Sequence, residues 1–114
     1  MARKRGWLPG HLHFQGSFQK EDNYVDAVPE YSTQFHRDVK LAQKRGKDMA
    51  KLRDLLAILI ADQPLSPRYK DHPLRNNWSG YRDAHIEPDW ILIYCTMDDV
   101  VRFERTGTHS DLFE

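Results

Sequence analysis

The chain is poor in cysteine, with Cys95 the single one in 114 residues. One thiol cannot form an internal disulfide, and its place in an apolar run suits a reducing cytoplasm. Long hydrophobic runs are also missing. The longest wholly apolar stretch, Leu55 to Ala61, falls far short of the ~20 residues a membrane span needs. The basic start, Arg3, Lys4 and Arg5, is followed by no apolar h-region. No signal peptide is therefore read, and a cytoplasmic protein with no membrane partner is expected. Net charge is zero, 17 basic against 17 acidic residues, so overall charge does not announce nucleic acid. Metal-ligand spacing is lacking as well. His11 and His13 form an H-x-H pair with no carboxylate or cysteine at ligand spacing, and no H-x-x-x-H occurs. Neither a metal nor a cofactor is expected. A chain of this length has room for one small domain with a modest core.

What the chain does have is local. Arg37, Lys40, Lys44, Arg45, Lys47, Lys51 and Arg53 crowd one stretch with few acids among them. Such a face can track phosphates, or it can be an ordinary solvated helix surface. Residues 1–28 keep no period for long, and Gly6, Pro9, Gly10 and Gly16 break any element that starts. A loop or partly disordered extension is expected there. Its LHFQGS piece is similar to a protease-site scar, and an upstream start is the other reading.

From residue 29 onward the pattern specifies a domain. A short strand over 28–31 leads to Ser32 or Thr33 as N-cap, and Phe35, Val39 and Ala42 follow at i, i+4, i+7. Gly46 supplies a left-handed stop. Asp48 starts a second helix with Met49, Leu52, Leu55, Leu56 and Leu59 on one face, ended by Pro64. Tyr81 to Ile86 alternates as a strand, with Ala84 and Ile86 on one face and Tyr81, Asp83 and His85 on the other. The 87–89 turn, an apolar strand from Trp90 to Thr96, the Asp98–Asp99 turn and a strand from Val100 to Thr106 complete a meander. The expected fold is α+β, with a helical hairpin covering one face of an antiparallel sheet and the other face left open for a ligand.

The chemistry gathers in the last third. His72, His85 and His109 lie there with Asp89, Arg105 and several Trp and Tyr. Cutting RNA through the 2′-hydroxyl without a metal needs proton carriers near neutrality, a cation for the phosphate and flat side chains for bases. Imidazole titrates near ~6.5 and serves as acid or base. Strand parity puts His85 on the open face. Arg105 shares parity with Val101 and Phe103, so only a bulge, or a place beyond the packed part of the strand, aims it into the groove.

In order, KDHPL (70–74), W-x-G-Y-R-D-x-H (78–85), EPDW (87–90) and RFERTGTHSDLF (102–113), preceded by RDVKLAQKRGKDM (37–49), closely resemble the YafQ family of RelE-superfamily toxins. The resemblance implies a RelE-like microbial RNase fold over 29–114. It also implies a ribosome-dependent mRNA interferase of a type II toxin–antitoxin pair. Its expected partners are mRNA, the decoding site of the 70S ribosome and a cognate DinJ/RelB-like antitoxin, with operator DNA met only through the antitoxin complex. Residues matching the family's active site are His72, His85, Asp89, Arg105, His109 and Phe113.

The roles expected on that footing are His109 as general acid and Asp89 as general base or as the group orienting a histidine. Arg105 would hold the scissile phosphate, and His72 and His85 would position or shuttle protons. Trp90 and Phe113 would support or stack on RNA, Lys70 and Arg82 would contact phosphates, and Lys44, Arg45 and Lys47 would extend that basic track. Gly107 would let the chain turn so that His109 reaches the groove. Two rival readings are a non-catalytic RNA- or ribosome-binding module or toxin–antitoxin co-repressor subunit on the same scaffold, and a zinc hydrolase using the same histidines and carboxylate. The family's usual basic charge is absent, partly through Glu21, Asp22, Asp26 and Glu30.

Overall fold

The computed structural model describes residues 26–114. Apart from its last three positions, the extension expected over 1–28, with His11 and His13, lies outside the described residues. Strand β1 (Val28–Tyr31) is followed by helices α1 (Thr33–Lys44) and α2 (Met49–Ile60). Ser32 is the N-cap of α1, its Oγ accepting from the Phe35 N–H at 2.9 Å. The same hydroxyl donates to the Glu104 carbonyl at 2.7 Å, tying the helix start to the sheet. Gly46, at φ +80°, turns the chain, and Asp48 caps α2 through the Ala50 N–H.

The sheet then builds through β2 (His72–Pro73), β3 (Arg82–Glu87), β4 (Trp90–Met97) and β5 (Val100–Gly107), and α3 (His109–Phe113) closes the chain. Strand order is β1-β5-β4-β3-β2, with β1 parallel to β5 and every other pairing antiparallel. The sheet is one strand wider than the sequence announces. His72–Pro73 is too short to show a period, and it gains strand character only by pairing with Asp83 and Arg82.

Helices α1 and α2 bury Phe35, Leu52, Leu55 and Leu56 against Ala84, Leu92, Val101 and Phe103, as the alternation requires. The opposite face is not fully open. Ile91 and Ile93 lie under Leu112 of α3, with Leu74, Trp78, Tyr81 and Phe113 packed around them as a second small core.

Helix α3 has five residues, too few to persist without support. Thr108 supplies it: its Oγ1 accepts from the Asp111 N–H at 3.0 Å, and Asp111 Oδ2 accepts from the Thr108 N–H at 2.9 Å. Arg45 at the end of α1 donates to the same carboxylate at 2.7 Å. Together these contacts hold the Asp111 carboxyl well below the usual carboxylate range. Gly107 ends β5 just before α3, and its φ is not left-handed. A Cβ there would stand 2.9 Å from Asp111 Oδ2, so its bareness makes room for the cap. Thr108→Ala is expected to cost about 1 kcal/mol and lower Tm by about 4–8 °C. A thermal melt unchanged from wild type would show the cap to be dispensable.

Candidate functional site

The site lies on the sheet face away from α1 and α2, above the second core. Its centre is Asp83, on β3 and only 4% exposed. On either side stand the imidazoles of His72 (β2) and His85 (β3), with ring centroids 6.4 Å apart. His72 Nδ1 is 3.1 Å and His85 Nε2 4.0 Å from Asp83 Oδ1. That oxygen nevertheless has no well-aligned hydrogen bond among the described residues, because His72 Nδ1–H donates to the Lys70 carbonyl at 2.9 Å. His85 Nδ1–H likewise donates to the Pro88 carbonyl at 3.3 Å. A carbonyl can only accept, so both neutral rings carry their proton on Nδ1 and present Nε2 as the basic lone pair.

Burial pushes the Asp83 carboxyl up, and the nearby His72, His85 and His109 pull it back only in part. A carboxylate that answers to three histidines from three elements marks them as one cluster. Asp89, in the β3–β4 turn, extends it: its Oδ1 accepts from the His109 N–H at 2.8 Å. Asp89 therefore holds the first residue of α3 by its backbone, a good place for an acid at a helix start. The His109 ring sits 5.0 Å from that of Phe113. His72, His85, Asp89, His109 and Phe113 are thus brought together, and Asp83 joins them. Sequence parity already aligned Asp83 with His85; what it lacked was the neighbouring strand that delivers His72.

Arg105 is placed differently. Ile93 pairs with Arg105 and Tyr94 with Phe103, so Glu104 is the extra residue of the bulge that the sequence demanded. Past the bulge Arg105 lies opposite Ile93 on the site face, but its guanidinium turns to the edge. Nε and Nη2 donate to Asp38 of α1 at 2.8 and 3.2 Å, and the Thr106 N–H donates to the same carboxylate at 3.0 Å.

Several expected RNA contacts are corrected. Trp90 cannot stack on a base: it is 1% exposed, sealed in the main core with the Lys47 ammonium 5.6 Å over its ring. Arg82 faces the helix layer and is forked onto Asp71, where Tyr94 also donates. Arg45 is spent on Asp111 and Lys47 on Glu87, at 2.7 and 3.3 Å. Lys44 is exposed, on the layer across the sheet from the histidines. Of the five expected basic contacts, Lys70 alone borders the histidines, in a groove of about 430 Å³ with Arg68, His85 and Pro88. Among the described residues no cluster of three His, Cys, Asp or Glu has metal-ligand geometry.

The family model described as a bacterial toxin of type II toxin–antitoxin systems, YafQ, matches residues 27–114. The mRNA interferase toxin YafQ of Escherichia coli BL21 is 65% identical over 85 residues, which is 74% of this chain and 92% of that one. Its crystal structure superposes with a TM-score of 0.75 at 61% identity, covering 77% of this chain and 99% of that one. The E. coli DinJ–YafQ complex matches with a TM-score of 0.73 at 62% identity, over 77% and 99% of the two chains. With the family model matching residues 27–114 and the E. coli toxin 65% identical in sequence and alike in fold, this chain belongs to the YafQ family of type II toxin–antitoxin toxins.

Proposed function

We propose that this chain is an mRNA interferase, an endoribonuclease toxin that cuts mRNA in the ribosomal decoding site by metal-independent acid–base catalysis. A DinJ/RelB-like antitoxin silences it and carries the pair to operator DNA. One observation carries the reading: three imidazoles, two of them with Nε2 presented as a base, converge with Asp83 and Asp89 beside an aromatic ring. Binding alone would not need proton carriers gathered at one point.

In this mechanism His72 or His85 takes the 2′-proton through Nε2. The 2′-oxygen attacks the phosphorus, and His109 protonates the departing 5′-oxygen. Arg105 stabilises the added phosphate charge through the guanidinium edge that Asp38 leaves unused. Asp83 stabilises the imidazolium that forms, and Asp89 holds His109 in place.

The test is cleavage of a translated message by the purified chain, with and without ribosomes and with a strong chelator. Ribosome-dependent cuts that survive the chelator are expected. Intact message would sink the enzyme, and chelator-sensitive cleavage would sink the metal-free route.

Asp83 makes a prediction of opposite signs. Its raised pKa means that the ionised form disfavours folding at neutral pH, a cost that disappears as pH falls through its titration. Asp83→Asn is expected to raise Tm at pH 7, because the amide carries no charge to desolvate. Cleavage is expected to slow by about tenfold or more as the base loses its counter-charge. A variant that is less stable and fully active would refute this role.

A further inference from the structure

Beside His109 and Phe113 lies a second groove, about 480 Å³, within the range of ligand clefts. One wall is Leu112, Phe113 and Glu114; the other is Arg75, Asn76, Asn77 and Trp78. The second wall is fixed in place. The Trp78 N–H donates to the Arg75 carbonyl at 3.0 Å and the Ser79 N–H to the Asn76 carbonyl at 2.9 Å, while Leu74 and Tyr81 close the loop at 2.8 Å. Asn76 holds φ +57°, a left-handed conformation that asparagine tolerates. The Trp78 ring is set edge-to-face against Tyr81 at 5.4 Å. By contrast, Asn76 and Asn77 are exposed. A rigid loop thus presents two amides, each able to donate and accept, between two aromatic rings.

We infer that this groove is a nucleobase subsite, in which Asn76 and Asn77 read the edge of the base on the 3′ side of the cut while Trp78 and Phe113 bound its faces. The inference rests on the reading of the chain as an mRNA interferase. If His109 protonates the departing 5′-oxygen, the nucleotide that leaves is the one next to His109, and Phe113, 5.0 Å away, belongs to both site and groove. Single-stranded RNA is read in this way, by stacking on aromatic side chains and by hydrogen bonds to splayed base edges. Asparagine can form bidentate contacts to a base, whereas a hydrophobic peptide would leave both amides unpaired.

Two measurements test it. In the first, a 2′-O-methyl RNA trinucleotide, which cannot be cleaved, is titrated into the 15N-labelled chain. The Asn76 and Asn77 side-chain amides and the Trp78 indole signal are expected to move. In the second, cut sites on a translated message are mapped for wild type and for Asn76→Gly/Asn77→Ala, the glycine keeping the left-handed backbone. The ratio of cutting between sites that differ in the 3′ base is expected to change by about tenfold, the worth of one good amide–base pair. Unchanged ratios from a folded, cutting variant would overturn the subsite and leave the enzyme standing. A wild type that cuts nothing removes the enzyme, and signals that stay still with RNA remove the subsite on their own. Movement of those signals only on adding an antitoxin would assign the groove to protein and overturn the inference.

Discussion

His109→Ala is expected to slow message cleavage by about 100- to 10,000-fold, the usual worth of a positioned general acid, while Tm stays within a degree or two of wild type. The two halves of that expectation have separate causes. His109 is exposed at the first position of α3, where alanine fits the helix, and its anchoring bond to Asp89 uses the backbone N–H that alanine keeps. The fold therefore loses little. On the proposed mechanism, the reaction loses the group that protonates the leaving oxygen.

A chemical variant isolates that step. With a message analogue carrying sulfur at the 5′-bridging position, the leaving group departs as a thiolate and needs no proton. His109→Ala and wild type should then cut at rates within a few-fold of each other. A variant equally crippled on both substrates would show that His109 acts by placement and not by proton transfer. Full activity on the natural message would remove it from the mechanism.

Much of the frame is legible in the residues because its signals are local. Ser32 and Asp48 start their helices through their own side chains, and the 2-residue period of β3 predicts which face Ala84 and His85 take. Period also bears on two residues that resemblance assigned to RNA. Trp90 shares parity with Leu92 and Tyr94, and Arg82 with Ala84, so both belong to the helix side where the structure puts them. A strand pattern outweighs the general preference of tryptophan and arginine for nucleic acid.

The rest depends on pairs that lie far apart in the chain. Asp83 becomes the centre of the site only when β2 brings His72 beside it, and Arg45 holds α3 through Asp111, 66 residues away. No window of sequence contains such a contact. The basic run illustrates the difference: its charges are visible at once, yet Arg45 and Lys47 are spent on Asp111 and Glu87, bracing the two elements that flank the histidines. Their mutation would disturb the site without their touching RNA.

Asp38→Ala is expected to be the most destabilising of these substitutions, by about 2–3 kcal/mol, with Tm lower by about 10–20 °C. Asp38 is buried and accepts from four donors: Arg105 Nε and Nη2, the Thr106 N–H and, at 3.1 Å, Gln34 Nε2. Alanine would leave a buried backbone N–H and a half-buried guanidinium without an acceptor, and unmade bonds of this kind cost more than the net worth of the bonds themselves. The same change frees Arg105 to leave the position the bulge gives it, so cleavage by the folded fraction should fall as well.

Arg105→Ala separates the two effects. It should slow cleavage at least as much but unfold the protein less, since Asp38 keeps the Thr106 N–H and Gln34. In the double variant the stability losses should fall short of their sum by 1 kcal/mol or more, the sign of a direct pair. Strict additivity, or an Asp38→Ala protein as stable as wild type, would mean that the aspartate neither holds the guanidinium nor secures the strand beside it.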